Sequence, residues 1–189
     1  MASPLVRILF VTPKGKPGWW EWLVQRVARS HFTHVAVTSM QGDTEVVMNP
    51  TIPKGTEFWR FDLWLDHPKP FGFVGWFNVP AARWPDLNDH IDPISRRLWR
   101  YAARWLTFGL LPCEDCVTKV RRVLHDAGVV TPASIVTPGQ LWDHLRSEGY
   151  EYVEHPDGVE AHPGHGPSDD PPAPPRRSSA RHAHRHRAA

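Results

Sequence analysis

The chain has 189 residues, of which 41% are apolar and 22% are charged, and its formal net charge at pH 7 is +2. This length allows one substantial hydrophobic core, and the near-balanced charge gives no reason to expect a charge-driven partner such as nucleic acid or an anionic membrane. Two cysteines exclude a disulfide framework, no apolar run reaches the roughly 18 to 20 residues that span a bilayer, and residues 1–13 lack a secretory signal pattern. We therefore expect a cytoplasmic or virion-associated protein with neither a signal peptide nor a transmembrane segment.

The first half of the chain is patterned mainly as β-strands. The aliphatic run over 5–11 is ended by a Pro-Lys-Gly turn and predicts a buried first strand. Two further runs, 34–38 and 45–48, flank a Gly-Asp turn and predict a β-hairpin. Aromatic and β-branched residues then predict a strand over 58–65 and another over 71–79.

The predicted helices carry apolar residues three and four positions apart. Tryptophans at this spacing predict a helix over 19–28 that packs on the sheet. Similar patterns predict helices over 93–109 and over 114–127, each followed or ended by glycine. A Thr-Pro pair at 137–138 predicts the start of another helix, with Thr as the cap, and residues 149–153 predict a closing strand.

The composition changes after His155. Residues 156–189 contain seven of the 20 prolines but no Leu, Ile, Phe, Trp or Tyr, so they cannot bury enough surface to order themselves. The last 19 residues carry five Arg, three His and no acidic residue. We expect a folded domain over 1–155 and a disordered tail over 156–189. The tail is either simply solvated or contacts nucleic acid, other proteins such as virion proteins, or metal.

Cys116 is the candidate nucleophile. It falls in the first turn of the predicted helix over 114–127, where unpaired N–H groups and the helix dipole favour the thiolate. A thiolate that attacks an acyl carbon needs an imidazole to take and return a proton. His34, at the start of the hairpin strand, is the best-placed histidine, since His31 precedes that strand and His125 lies on the cysteine's own helix.

A third polar group should fix the tautomer of the His34 ring. The second hairpin strand offers Glu45 and Asn49, and we favour Asn49, because it falls near the end of that strand. Glu45 lies nearer the turn and is expected to face solvent. The backbone N–H of Cys116 is the default donor to an oxyanion.

These motifs, in this order, resemble the circularly permuted papain-like cysteine hydrolases. The resemblance rests on His34-Val35-Ala36-Val37 on a strand, Cys116-Val117-Thr118-x-Val120 opening a helix and Thr137-Pro138-x-x-Leu141 opening another. That superfamily includes NlpC-type cell-wall peptidases, YiiX-like enzymes and lecithin retinol acyltransferase. Over roughly residues 5–150 it implies an α+β papain-like fold, in which a short antiparallel sheet packs against helices, one of which begins at the cysteine.

The resemblance also implies a chemistry. Cys116 would be the nucleophile, His34 the general base and Asn49 or a neighbour the orienting group, acting on an amide or ester through a thioester without a cofactor or metal. A peptidoglycan peptide is the first choice of substrate and a lipid acyl ester the second. Two positions depart from the family pattern: Cys113 is extra, and Lys119 stands where an apolar or aromatic residue is usual, so we expect it to face solvent.

Other interpretations of the two cysteines stay open. Cys113 and Cys116 could bind structural zinc together with His31 or His34, could form a redox dithiol, or Cys116 could be an inert buried residue. A rival of a different class is a non-catalytic papain-like module, such as a virion structural or adaptor protein, whose basic tail binds partners.

Overall fold

The computed structural model describes residues 4–13, 22, 25–26, 30–51, 55–66, 71–91 and 115–155. The helix predicted over 93–109, Cys113 and the predicted tail over 156–189 lie outside these ranges. Of the helix predicted over 19–28, only three residues are described, and these three are helical. None of the helices in the described ranges is long and apolar enough to cross a membrane.

Six strands form one antiparallel sheet. They are β1 (Leu5–Pro13), β2 (His34–Gln41), β3 (Thr44–Thr51), β4 (Gly55–Arg60), β5 (Phe71–Pro80) and β6 (Glu151–Glu154). Across the sheet the order is β4-β3-β2-β1-β5-β6, so β1 and β2 are central and β4 and β6 form the edges. The α+β class, the hairpin and the closing strand are confirmed.

The helices are α1 (Phe61–Asp66), α2 (Cys116–Asp126) and α3 (Pro138–Ser147), and Leu87–His90 form a short 3-10 helix. Cys116 is the first residue of α2, because Asp115 is the N-cap and its Oδ1 accepts a hydrogen bond from the backbone N of Thr118 at 2.7 Å. Thr137 caps α3 as predicted.

The strand predicted over 58–65 is wrong in its second half. The strand β4 ends at Arg60, and residues 61–66 form α1. Phe61, Trp64 and Leu65 are spaced three and four apart, so a helix turns all three toward the sheet, and Trp64 is left only 2% exposed. Asp62 in the first turn also favours the helix.

The core lies on both faces of the sheet because side chains alternate along each strand. We call the side covered by α2 and α3 the helix face; its buried cluster includes Ile8, Phe10, Val35, Val37, Met48, Cys116, Val120, Leu124 and Leu141. We call the other side the α1 face; its buried cluster is Leu9, Val11, Ala36, Val47 and Trp64.

The expectation that Lys119 faces solvent is wrong. Its side chain is 0% exposed, and its Nζ donates a hydrogen bond to the backbone O of His90 at 2.9 Å. A buried ammonium group needs such an acceptor, because its loss of water is otherwise unfavourable. Lys119 thus joins α2 to the 3-10 helix.

Candidate active site

His34 and Asn49 are joined by a hydrogen bond. His34 Nε2 lies 2.8 Å from Asn49 Oδ1. In the hairpin Val37 pairs with Met48, so Ala36 and Asn49 come next toward this end and His34 lies diagonally across from Asn49. Since an amide oxygen only accepts, Nε2 of the neutral ring carries the proton and Nδ1 is the basic nitrogen.

The environment of His34 favours the neutral imidazole. Burial lowers the pKa of His34 below its ordinary value, and the hydrogen bond from its ring to Asn49 opposes this with a smaller effect. The ring is therefore neutral at physiological pH, which is the form that can accept a proton.

Glu45, the other orienting residue considered, is occupied elsewhere. It is partly buried rather than solvent-facing, because its carboxylate is ion-paired with the guanidinium of Arg7. Arg7 in turn lies over the rings of Phe61 and Trp76, 5.0 and 5.9 Å from their centroids. Glu45 therefore belongs to a separate polar cluster on the α1 face.

Cys116 combines burial with a helix N-terminus. It is 3% exposed and packs in the helix-face cluster. The preceding residue, Asp115, is also buried and caps the helix. Sequence reasoning does not single out Asp115, although an Asp immediately before a helix is a common N-cap. The thiol thus lies at the positive end of α2, shielded from bulk water.

The direction of α2 puts Cys116 toward the end of the sheet that carries His34. The C-terminal end of α2 lies where β1 begins and β5 ends, because Ala82 N donates to Ala127 O and Ala81 N donates to Pro4 O, both at 2.8 Å. His34 lies toward the other end of the sheet, paired with Val11. Because α2 packs on β2 and β3, its N-terminus points away from the Pro4 end.

The alternation of side chains along β2 restricts where the thiol of Cys116 and the imidazole of His34 can meet. Cys116 packs in one cluster with Val35 and Val37, whereas His34 leaves β2 on the side of Ala36, the α1 face. A thiol and an imidazole so placed meet only past the end of the strand. His34 is the first residue of β2, where such a contact is possible.

Metal binding has no support among the described residues. No three His, Cys, Asp or Glu side chains within them come together in a way that could hold a metal ion. Cys113, which the zinc and dithiol interpretations require, lies outside the described ranges, so both stay predictions. His125, the histidine on α2, is exposed and lies beside Asp126, with Nδ1 and Oδ1 3.5 Å apart.

No protein-family model, curated protein or solved structure matches this chain. The features available are an oriented, neutral imidazole and a helix N-terminal thiol on neighbouring elements.

Proposed function

We propose that the protein is a cysteine hydrolase of amides or esters, with a papain-like fold. The observation that carries the proposal is the 2.8 Å hydrogen bond between His34 Nε2 and Asn49 Oδ1. It holds the ring in one tautomer and leaves Nδ1 as its basic nitrogen, which is the arrangement that a general base in a Cys-His-Asn triad requires.

The location of Cys116 supports its role as the nucleophile. The first turn of a helix stabilises an anion through its N–H groups, which lowers the pKa of a thiol there. Burial acts in the opposite direction. Removal of the thiol proton by His34 would overcome the effect of burial. The direction of α2 fits this role, because Cys116 lies away from the Pro4 end of the sheet, toward the end that carries His34.

The reaction proceeds in two stages. His34 Nδ1 takes the thiol proton as the sulfur of Cys116 attacks the carbonyl carbon, and the backbone N–H of Cys116 donates to the oxyanion. The carbon–nitrogen or carbon–oxygen bond breaks, and the leaving amine or alcohol takes the proton from His34. Water then attacks the thioester with His34 again as the base, releasing the acid and the free thiol.

The proposed substrates are those of the resembled enzymes. A peptide is the first choice, in particular a peptidoglycan stem or crosslink in a bacterial or bacteriophage setting, and a lipid acyl ester is the second. A cytoplasmic or virion-associated location is part of the same proposal, as is contact of the basic tail with nucleic acid or virion proteins.

Thiol alkylation against pH tests the proposal. Cys113→Ser leaves Cys116 as the only thiol, so the rate of its reaction with iodoacetamide can be followed from pH 5 to 10. We expect a midpoint well below the ordinary cysteine pKa of about 8.5. Adding His34→Gln should return the midpoint toward that value, and adding Asn49→Ala should produce a smaller change in the same direction. An alkylation midpoint near pH 8.5 that is the same with and without His34→Gln would contradict the proposal.

A non-catalytic module is the second candidate. The observation that favours it is the 3% exposure of Cys116 among aliphatic side chains of the helix face. An inert buried thiol would react only when the domain opens, at a rate set by unfolding and unchanged by His34→Gln. The alkylation experiment therefore separates the two functions.

A further inference from the structure

Lys119 is a buried charged residue that the proposed mechanism does not use. It is 0% exposed on α2, and its Nζ donates to the backbone O of His90 at 2.9 Å. Lysine is rarely enclosed in this way, because the transfer of an ammonium group out of water is unfavourable. A buried charge beside a candidate nucleophile points to a role in setting how that nucleophile ionises.

Lys119 lies beside Cys116 on the surface of α2. It follows the cysteine by three positions, and residues at this spacing have Cβ atoms about 5 to 6 Å apart. The ammonium group is therefore on the order of one helical turn, about 5 to 10 Å, from the sulfur. At such a separation inside a protein, a single charge shifts an ionisation equilibrium by about tenfold.

We propose that Lys119 is a positioning residue of the candidate active site, whose buried positive charge stabilises the thiolate of Cys116. The inference rests on the proposed function, in which Cys116 is the nucleophile. Burial of Cys116 favours the neutral thiol, and a cation on the same helix opposes that effect. The hydrogen bond to the backbone O of His90 holds the ammonium group against α2, so the charge is in place before any substrate binds.

The other titratable groups around the thiol oppose the effect of Lys119 or leave it unchanged. Asp115, immediately before the cysteine, is 1% exposed, and its carboxylate disfavours a second negative charge. His34, at the start of β2, is neutral and adds no charge. The ring of His90 faces Asp126 instead, with Nε2 3.0 Å from Oδ2. The members of the helix-face cluster that come from β1, β2, β3 and α3 are apolar.

The ultraviolet absorbance of the thiolate, followed against pH, tests the inference without a reagent having to reach the buried sulfur. In the Cys113→Ser background, Lys119→Met removes both the charge and the hydrogen bond to His90, whereas Lys119→Gln keeps a donor and removes the charge. Both variants should raise the midpoint of ionisation by about one pH unit, which is a tenfold loss of thiolate at lower pH. Asp115→Asn keeps the N-cap acceptor and should lower the midpoint.

Arg122→Gln is the matched control, because Arg122 is an exposed cation on the same helix and its loss should move the midpoint by less than about 0.3 unit. An unchanged midpoint in Lys119→Gln, or equal shifts in Lys119→Gln and Arg122→Gln, would overturn the inference. His34→Gln, measured in the same way, separates this result from the proposed function. A shift with Lys119→Gln but none with His34→Gln would support the ammonium–thiolate interaction and contradict His34 as the base.

Discussion

At the scale of single residues, His34 shows how burial and hydrogen bonding oppose each other. Burial lowers the pKa of His34, while the bond to Asn49 raises it by a smaller amount. The balance leaves a neutral ring whose orientation is fixed at Nε2. The same balance makes the folded state a poorer proton acceptor at this position than the unfolded chain, which has a measurable effect on stability.

We predict that His34 makes the domain less stable in acid. The pKa of His34 is lower in the folded than in the unfolded state, so between these two values the unfolded chain binds more protons and the free energy of unfolding rises with pH. The free energy of unfolding is therefore unaffected by His34 above about pH 6.5, the pKa of histidine in the unfolded chain, and it decreases as the pH falls below that value. Urea unfolding from pH 7.5 to 5 measures the slope.

His34→Gln is the matched control for this prediction, because glutamine can still donate to Asn49 but does not titrate. The variant should show a shallower fall of the unfolding free energy between pH 6.5 and 5. The other 11 histidines are common to both proteins, so the difference between the two slopes isolates position 34. Parallel slopes would contradict the prediction.

At the scale of elements, α3 is defined by its N-terminus. Thr137 Oγ1 accepts from the backbone N of Gln140 at 3.2 Å, while Gln140 Oε1 accepts from the backbone N of Thr137 at 3.1 Å. This reciprocal pair satisfies N–H groups that have no partner within the helix. Thr137→Ala should reduce the free energy of unfolding by about 1 kcal/mol in urea titrations.

Thr137→Ser keeps the accepting oxygen and should lose at most about half as much as Thr137→Ala. If both variants unfold at the same urea concentration as the wild type, the cap contributes nothing to stability. Equal losses would assign the effect to the methyl group that both substitutions remove, rather than to the hydrogen bond.

Local patterns predicted most elements but not every boundary. The hairpin follows from a Gly-Asp turn, where Gly42 adopts a φ of 60°. The segment 58–65 carries two patterns in succession: strand alternation as far as Arg60, and helical spacing from Phe61 onward. Burial of Lys119 could not be predicted, because its acceptor, the carbonyl of His90, is distant in sequence. Tertiary contacts decide such positions.

At the scale of the whole molecule, the sheet separates two apolar clusters. Sequence spacing places His34 and Asn49 on one hairpin and Cys116 at a helix start, yet it cannot say which face of the sheet the helix covers. Here α2 covers the face of the sheet that carries Val35 and Val37, whereas His34 leaves β2 on the opposite face. The thiol of Cys116 and the imidazole of His34 can therefore meet only past the end of β2. Contact between Cys116 and His34 therefore depends on how α2 packs on the sheet, which the local sequence does not determine.

Phe10 joins the sheet to α3 and the segment before β2. It is fully buried, and its ring centroid lies 5.1, 5.8 and 5.0 Å from those of Phe32, Phe77 and Trp142, all with edge-on geometry. Phe10→Ala should therefore leave a cavity between the elements and reduce the free energy of unfolding by about 3 to 5 kcal/mol.

Phe58→Ala is the control for Phe10→Ala, because Phe58 is 39% exposed on the edge strand β4 and its loss should cost less than about 1 kcal/mol. Urea unfolding followed by tryptophan fluorescence compares the two variants under the same conditions. A Phe10→Ala protein no less stable than Phe58→Ala would mean that α3 does not pack on the centre of the sheet. Since α2 and α3 belong to one helix-face cluster, the position of Cys116 relative to β2 would then have to be revised as well.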